Sequence, residues 1–304
     1  MSQIETPVTM PIDQSGRKMT FASWNQLIKP RIAIMVAFTA YFGYQIGLKD
    51  TGASFNWLVL WGTLCGIAIS CVSAGIFNQL VERESDRKMA RTATRPLATD
   101  QLSLTSGIIL AIVTGVLGVG LLAASANVLT ALLSAFTIVT YAAVYTPLKR
   151  VTSVSTIVGA VPGALPPIMG FTAATNAITP MAICIFLILF LWQLPHFLAI
   201  AWLYRKQYAN AGMPMLPVLD PDGSSTFRQI LLGCSGLIPL SILPNLFGLT
   251  GMIYFYGAII SGVIFLAFGI ALSIGKTDRL ARGMFYVSLI YVPVILALMM
   301  FDQQ

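Results

Sequence analysis

Residues 56–81 read NWLVLWGTLCGIAISCVSAGIFNQLV, without one charged side chain, and run straight into Glu82-Arg-Glu-Ser-Asp86. A helix rising about 1.5 Å per residue carries such a stretch across the roughly 30 Å hydrocarbon core of a bilayer. Its end places Asn78, Glu82 and Asp86 four residues apart. On a helix those positions drift by only about 40° per step, so one amide and two carboxylates share a face at the mouth of an apolar segment. Oxygen ligands stacked this way suit a hard cation such as Mg2+, which is usually held by few protein ligands together with substrate phosphates. Arg87, Lys88, Arg91 and Arg95 follow, enough positive charge to hold a polyanion. The plainer alternative is a charged, solvated cap on a helix.

The same apolar texture recurs along the chain. Of its 304 residues 57% are hydrophobic and 10% charged, against about 25% charged in ordinary globular domains. Apolar segments are predicted near 31–48, 56–81, 104–124, 127–146, 154–173, 178–203, 229–248, 251–274 and 283–301. The expected fold is all-α: a polytopic membrane protein with nine transmembrane helices around a central cavity. Residues 1–28 are polar and mixed, and are expected to form a cytoplasmic arm, flexible or lying on the surface, ahead of a single domain over 29–304. No charged n-region with a small-residue cleavage site precedes the first apolar run, so no cleaved signal peptide is expected. Long loops are expected at 82–103 and 204–228, with short uncharged turns near Ala126, Thr175 and Thr250.

The net charge is +7, and its placement orients the chain. With the N-terminus inside, 17 of the 18 Lys and Arg residues fall on the cytoplasmic side, and only Lys49 lies opposite. A bias this lopsided follows the preference of Lys and Arg for cytoplasmic loops and puts the C-terminus outside, in a multi-pass protein of the plasma membrane. No nucleic-acid partner is expected; the bilayer is the partner the composition demands. The four cysteines, Cys65, Cys71, Cys184 and Cys234, lie within apolar stretches and form no CxxC pair, so they read as small buried hydrophobes.

Further polar residues gather on the same side. Tyr145-Thr-Pro-Leu-Lys149-Arg150 closes the fourth segment; its two cations either hold an anion or favour the helix dipole and anchor the membrane edge. The fifth segment contains Gly159, Pro162, Gly163, Pro166, Pro167 and Gly170, and its backbone ladder is expected to break where it lines a cavity. The sixth ends Trp192-Gln193-Leu-Pro195-His196-Phe197, followed by Trp202, Tyr204 and Tyr208. His196 is the chain's one histidine, and an ionisable group inside a membrane is a functional candidate unless it is a hydrogen-bonded packing residue. The aromatic residues suit either a membrane-interface belt or the shielding of a cation. Carboxylates, cations, one histidine and aromatics on one membrane face call for a pocket that takes an anionic phosphate head and a long apolar tail.

These motifs resemble a known family. Asn78-x3-Glu82-x3-Asp86 with Arg87-Lys88-Met89-x-Arg91-Thr92 and Arg95-Pro96-Leu97 is similar to the first signature of the protohaem IX farnesyltransferases, members of the UbiA-type intramembrane prenyltransferases. Tyr145-Thr146-x2-Lys149-Arg150, Gly159-x2-Pro162-Gly163-Ala164-x-Pro166-Pro167, Trp192-Gln193-x-Pro195-His196-Phe197 and Ala211-Gly212-x-Pro214-Met215-Leu216-Pro217 match it as well, so the resemblance spans about residue 24 to the end. It implies nine helices, a Mg2+–diphosphate site, and transfer of a farnesyl group from farnesyl diphosphate to a vinyl group of haem B, with hydration, giving haem O. Asn78, Glu82 and Asp86 would hold the metal. Arg87, Arg91, Arg95, Lys149 and Arg150 would share the diphosphate charge. Tyr145, Trp192, Tyr204 and Tyr208 would line the substrates, and His196 would ligate haem iron or position the vinyl group and water. Haem A synthase or a terminal oxidase would be a protein partner.

Two departures stand out. Glu82 sits where many relatives in the wider superfamily carry Asp, and the loop after the sixth segment reads Tyr204-Arg-Lys-Gln-Tyr208, without a second D-x3-D pair. Asp220 and Asp222 fit a Pro-Asp-Gly turn better than a helical ligand pair. A prenyltransferase acting on a quinone precursor would be expected to carry that second pair. A transporter would place its ionisable residues deep in the helices, and a haem chaperone would use His196 and dispense with the Asn78–Glu82–Asp86 face.

Overall fold

The computed structural model describes residues 18–304. Among them nine helices are long and apolar enough to cross a membrane. A short helix α1 (Phe21–Ile28) comes first, its start closed by the Thr20 hydroxyl accepting from the Ser23 N–H at 3.2 Å. Lys29, left-handed at φ 52°, turns the chain, and Pro30 opens α2 (Pro30–Thr51), where a proline costs no helical hydrogen bond. Residues 1–17 of the expected arm lie outside the described residues. Its remainder is docked: Leu27 is fully buried against Ile76, Leu97 and Ala111, and the Gln79 amide donates to the carbonyls of Gln26 and Leu27 at 3.3 and 3.1 Å.

The remaining helices follow the apolar runs. They are α3 (Trp57–Arg87), α4 (Leu104–Ser125), α5 (Val128–Val139), α7 (Ser155–Thr175), α8 (Pro180–Leu203), α11 (Ser224–Leu246), α12 (Met252–Gly275) and α13 (Asp278–Phe301). A π-helical turn (Thr140–Tyr145) and α6 (Thr146–Leu148) extend α5, and α9 (Arg205–Asn210) and α10 (Leu216–Leu219) lie between α8 and α11. The 82–103 segment is therefore not loop from its start, because α3 continues to Arg87. The hydropathy ends at Val81, but Glu82 and Asp86 stay buried on paired cations and so keep the last turns helical. The 204–228 segment likewise ends early. Asp220 accepts from the Thr226 N–H and hydroxyl at 2.7 and 2.8 Å and starts α11 at Ser224. Burial works against the Asp220 charge, but these donors hold its carboxyl below the usual value. Asp220 thus closes the start of α11, and Asp222 accepts from the Ser224 hydroxyl at 3.4 Å in the turn before it, so the two carboxylates form a turn and not a helical ligand pair.

The expected break in α7 does not occur. Pro162, Pro166 and Pro167 lie inside one continuous helix, the most buried of the nine membrane-length helices. Proline is tolerated in such a helix because close neighbours, rather than water, surround the freed carbonyls. The glycines let those neighbours approach. A Cβ on Gly43 of α2 would lie 1.8 Å from the Pro167 carbonyl oxygen, and one on Gly170 would lie 1.9 Å from that of Ala40. The α2 and α7 backbones touch, the small-residue packing of membrane helices. α7 packs against α2, α3, α5 and α8, while α8 and α11–α13 pack around one another and α13 returns to α2. Large apolar side chains such as Ile109, Val116, Ile253 and Ile290 cover the outside, as contact with lipid requires.

Candidate active site

The end of α3 supplies the oxygen face. Asn78, Glu82 and Asp86 are 2%, 4% and 1% exposed, which for two carboxylates demands paired charge. Lys149, one residue past α6, donates from Nζ to Glu82 Oε1 at 2.8 Å. Arg95 reaches Asp86 Oδ2 from Nη1 at 2.7 Å and lies 3.9 Å from Glu82 Oε2. Arg150 donates to the Ser85 hydroxyl at 3.3 Å. The six charged or amide side chains Asn78, Glu82, Asp86, Arg95, Lys149 and Arg150 therefore meet at one end of the bundle.

Local structure explains how Arg95 and Lys149 arrive there. The segment after α3 folds back on itself, with the Thr92 hydroxyl donating to the Asp86 carbonyl at 3.1 Å. Arg83 and Arg87 staple it. Arg83 donates to the Leu97 carbonyl at 3.0 Å, Arg87 donates to that of Ala98 at 2.8 Å, and both pair with Asp100, which adopts a left-handed φ of 59°. Arg87, expected on the anion, is thus engaged in holding the loop. On the other strand of the site, the π-turn sets the register of α6. The Thr146 hydroxyl donates to the Tyr141 carbonyl five residues back at 2.7 Å and accepts from the Asn78 amide at 3.3 Å. That bond uses Asn78 Nδ2 rather than its carbonyl oxygen.

Aromatic rings flank the cations. Lys149 Nζ lies 4.6 Å from the Tyr145 ring, and Tyr145 lies 5.0 Å from Tyr141. A Cβ on Gly159 would strike the Tyr145 ring at 2.5 Å, so this glycine of α7 gives the ring its place. Tyr208 is within electrostatic reach of Tyr145. Arg91 stacks over Tyr204 at 4.9 Å, tying the loop after α3 to the end of α8. Burial opposes the charge on Lys149, but Tyr145, Glu82 and Tyr141 outweigh it and hold the ammonium well above its ordinary value. Lys149 is therefore a fixed positive charge at the edge of the carboxylate face.

One atom in this cluster is unsatisfied: Asp86 Oδ1 is buried and has no hydrogen-bond partner. Such a carboxylate oxygen normally has a ligand. Together with the Asn78 and Glu82 oxygens it makes a set of hard donors that fits Mg2+. Among the described residues no three His, Cys, Asp or Glu side chains converge, so the set is two carboxylates and one amide, and a metal there would share substrate oxygens.

His196 and Trp192 form a separate cluster. The Trp192 indole donates to the Ser288 carbonyl at 2.8 Å, and the His196 ring stacks on Trp192 and Phe285 with centroids 5.1 and 5.3 Å away. The Ser288 hydroxyl donates to the Phe285 carbonyl at 2.5 Å, so toward His196 Nδ1, 2.6 Å away, it accepts. This network assigns the proton of the neutral ring to Nδ1 and leaves Nε2 as the free lone pair. His196 lines a cavity of about 250 Å3 with Thr39, Gly163, Trp192 and Pro293.

Three contributors, Lys29, Tyr141 and Ser288, were not singled out by the sequence, and Thr146 stood in a motif without a role. Lys29, counted only among the topogenic charges, lies in the field of Glu82, Asp86, Arg95 and Lys149; its place just before Pro30, at the mouth of the first apolar run, was the available signal. Tyr141 and Thr146 act through the π-turn, and Ser288 is a lone hydroxyl in the last helix. No local pattern marks Tyr141 or Ser288, and the Thr146 motif does not show its bond to Asn78.

With this geometry in view, the likenesses to known proteins are specific. Residues 33–292 match the UbiA prenyltransferase family. A protoheme IX farnesyltransferase of Solibacter usitatus (strain Ellin6076) is 40% identical over 287 residues, spanning 91% of this chain and 97% of that one. A solved digeranylgeranylglyceryl phosphate synthase shares the fold with TM-score 0.76 at 15% identity, over 92% of this chain and 97% of that one. So does a UbiA homolog from Archaeoglobus fulgidus bound to DMAPP and Mg2+, with TM-score 0.65 at 15% identity, over 91% and 99%. The chain belongs to the UbiA prenyltransferase family, in the group of the protoheme IX farnesyltransferases.

Proposed function

We propose that this prenyltransferase moves the farnesyl group of farnesyl diphosphate onto a vinyl group of haem B, yielding haem O and diphosphate. The observation that carries the reading is the buried Asn78–Glu82–Asp86 face under Lys149, Arg95 and Arg150; the kinship with protoheme IX farnesyltransferases supplies the substrates. The allylic C1–O bond of the donor breaks and its electron pair leaves with diphosphate. The haem vinyl attacks C1, the resulting cation on the porphyrin's side chain takes up water, and that water releases a proton.

The demanding part is stabilising the leaving group. Lys149 and Arg95 reach the two carboxylates directly and Arg150 reaches Ser85 between them, with Lys29 in the same field and Arg91 on the Tyr204 ring. Preorganised positive charge at the point where negative charge develops is usually the largest catalytic term, and guanidinium forks match phosphate oxygens. Asn78, Glu82 and Asp86 are the residues that would hold Mg2+, which when bound supplies Lewis-acid neutralisation of the diphosphate. The Mg2+ carried by the A. fulgidus homolog with its prenyl diphosphate supports this assignment. Tyr145, 4.6 Å from Lys149, and Tyr208 beyond it exclude water and shield the farnesyl cation. Trp192 and His196 flank the porphyrin instead, with His196 Nε2 as the ligand or positioning group. The protein sits in the plasma membrane with its N-terminus cytoplasmic, and passes its product to a haem A synthase or a terminal oxidase.

The test is extraction and mass analysis of haem after incubating the purified protein with haem B, farnesyl diphosphate and Mg2+. Haem O is expected. Chelation of Mg2+ or Asp86→Ala should lower its formation by on the order of 1,000-fold, the several kcal/mol of a lost metal clamp. Near-normal haem O from a correctly folded Asp86→Ala protein would sink the metal face.

A further inference from the structure

A second site lies outside the catalytic cluster, on the lipid-facing side of α11 and α12. A groove of about 590 Å3 runs between these helices, opening at the same end of the bundle as the active site. Its walls are apolar, formed by Leu231, Leu232, Leu266 and Ile270, and Leu232 is 64% exposed. Its rim carries Arg228 and Lys276. Lys276 is held there: it sits at a left-handed turn with φ 48°, donates from Nζ to the Asp222 carbonyl at 2.7 Å, and lies 5.6 Å from the centre of the Phe227 ring. Two of its N–H groups remain for another acceptor. The Asp220 and Asp222 carboxylates lie beside this end of the groove, where each accepts from the Ser224 hydroxyl at 3.2 and 3.4 Å, but neither forms an ion pair with Arg228 or Lys276, which leaves both cations open to an external anion.

Two cations over an apolar cleft, where two membrane-spanning helices meet the interface, match one ligand chemistry. From this charge complementarity we propose that the α11–α12 groove binds an anionic phospholipid, with its headgroup phosphate between Arg228 and Lys276 and an acyl chain along Leu231, Leu232, Leu266 and Ile270. Basic pockets between transmembrane helices recognise acidic headgroups in this way. The site needs neither the diphosphate cluster nor His196, so it stands independently of the reaction assigned above.

Native mass spectrometry of the purified full-length protein, titrated with phosphatidylglycerol and phosphatidylcholine, tests it. Wild type should retain phosphatidylglycerol preferentially. Arg228→Gln and Lys276→Gln should each weaken that retention about five-fold, the worth of one interfacial charge. Ile270→Trp, which fills the cleft and leaves both cations, should weaken it too. Arg279→Gln, which removes a basic residue from the first turn of α13 at the same end of the bundle but outside the groove's lining, should leave it unchanged. Equal retention of the two lipids, equal loss in Arg279→Gln, or full retention in Ile270→Trp would overturn the proposal. Displacement of the lipid by millimolar inorganic phosphate would overturn it as well, by making the site one for soluble anions.

Discussion

At the scale of single residues, the site separates side chains that look alike in the sequence. Arg87, Arg91 and Arg95 are equivalent members of one basic run, yet Arg95 sits on Asp86, Arg91 on Tyr204, and Arg87 on Asp100. Which arginine faces the carboxylates depends on how the segment after α3 folds back, and that is set by Leu97, Ala98 and Asp100 backbone geometry rather than by spacing. Asn78, Glu82 and Asp86 were legible because a helix fixes their relation by itself. His196 was legible as a lone ionisable group, but the setting of its ring was not, since the Ser288 partner lies 92 residues away. That partner yields a sharper prediction. Ser288→Ala removes the acceptor that fixes the imidazole and should weaken haem binding about 10- to 100-fold, the usual cost of losing an outer partner of a ligating histidine. His196→Ala should abolish the haem spectral signature. Farnesyl diphosphate binding, followed by calorimetry, should survive in both. An unchanged haem spectrum in His196→Ala would return this residue to a packing role.

At the scale of elements, composition located the helices and misjudged two of their features. Hydropathy drops at Val81, so the charged last turns of α3 looked like loop. Three prolines made α7 look broken. Both expectations treat a segment as though water or lipid surrounded it, whereas the neighbours decide. The cations of the loop and of α6 keep α3 helical to Arg87, and close helices support α7. The π-turn before α6 has no sequence signature; it is visible only through the Thr146–Tyr141 bond and the register it gives Lys149. The α2–α7 contact makes the dependence on neighbours measurable. Gly170→Leu must push a side chain into the Ala40 carbonyl, only 1.9 Å from the Cβ position. Overpacking of that kind costs about 1–3 kcal/mol, or more when backbone has to move. Gly120→Ala in α4, with nothing within 4 Å, should instead be neutral or stabilising by up to roughly 1 kcal/mol. The fraction of protein that stays monodisperse after heating distinguishes them, and equal behaviour of the two variants would show that the α2–α7 contact is not tight.

At the scale of the whole molecule, the asymmetry of charge and the position of the site are one arrangement. The ends of α3, α6 and α8 and the starts of α1, α7, α11 and α13 lie at the same end of the bundle, which carries Lys29, Arg95, Lys149, Arg150, Arg205, Arg228 and Lys276. At the other end Lys49 is occupied by the Met300 carbonyl at 2.7 Å. Positive charge resists translocation and is drawn to the anionic cytoplasmic leaflet, at about 1 kcal/mol per Lys or Arg near the surface. A soluble, highly charged donor such as farnesyl diphosphate would then meet the catalytic cations without crossing the bilayer, while an apolar tail enters from the lipid side. The orientation can be read with single cysteines, after alanine has replaced Cys65, Cys71, Cys184 and Cys234. Ala53, exposed in the turn between α2 and α3, and Lys206, exposed in α9, lie at opposite ends. In intact bacterial cells an impermeant maleimide should label Ala53→Cys and reach Lys206→Cys only after the membrane is opened. Labelling of Lys206→Cys alone in intact cells would invert the molecule, put the cation cluster outside, and separate it from a cytoplasmic supply of donor.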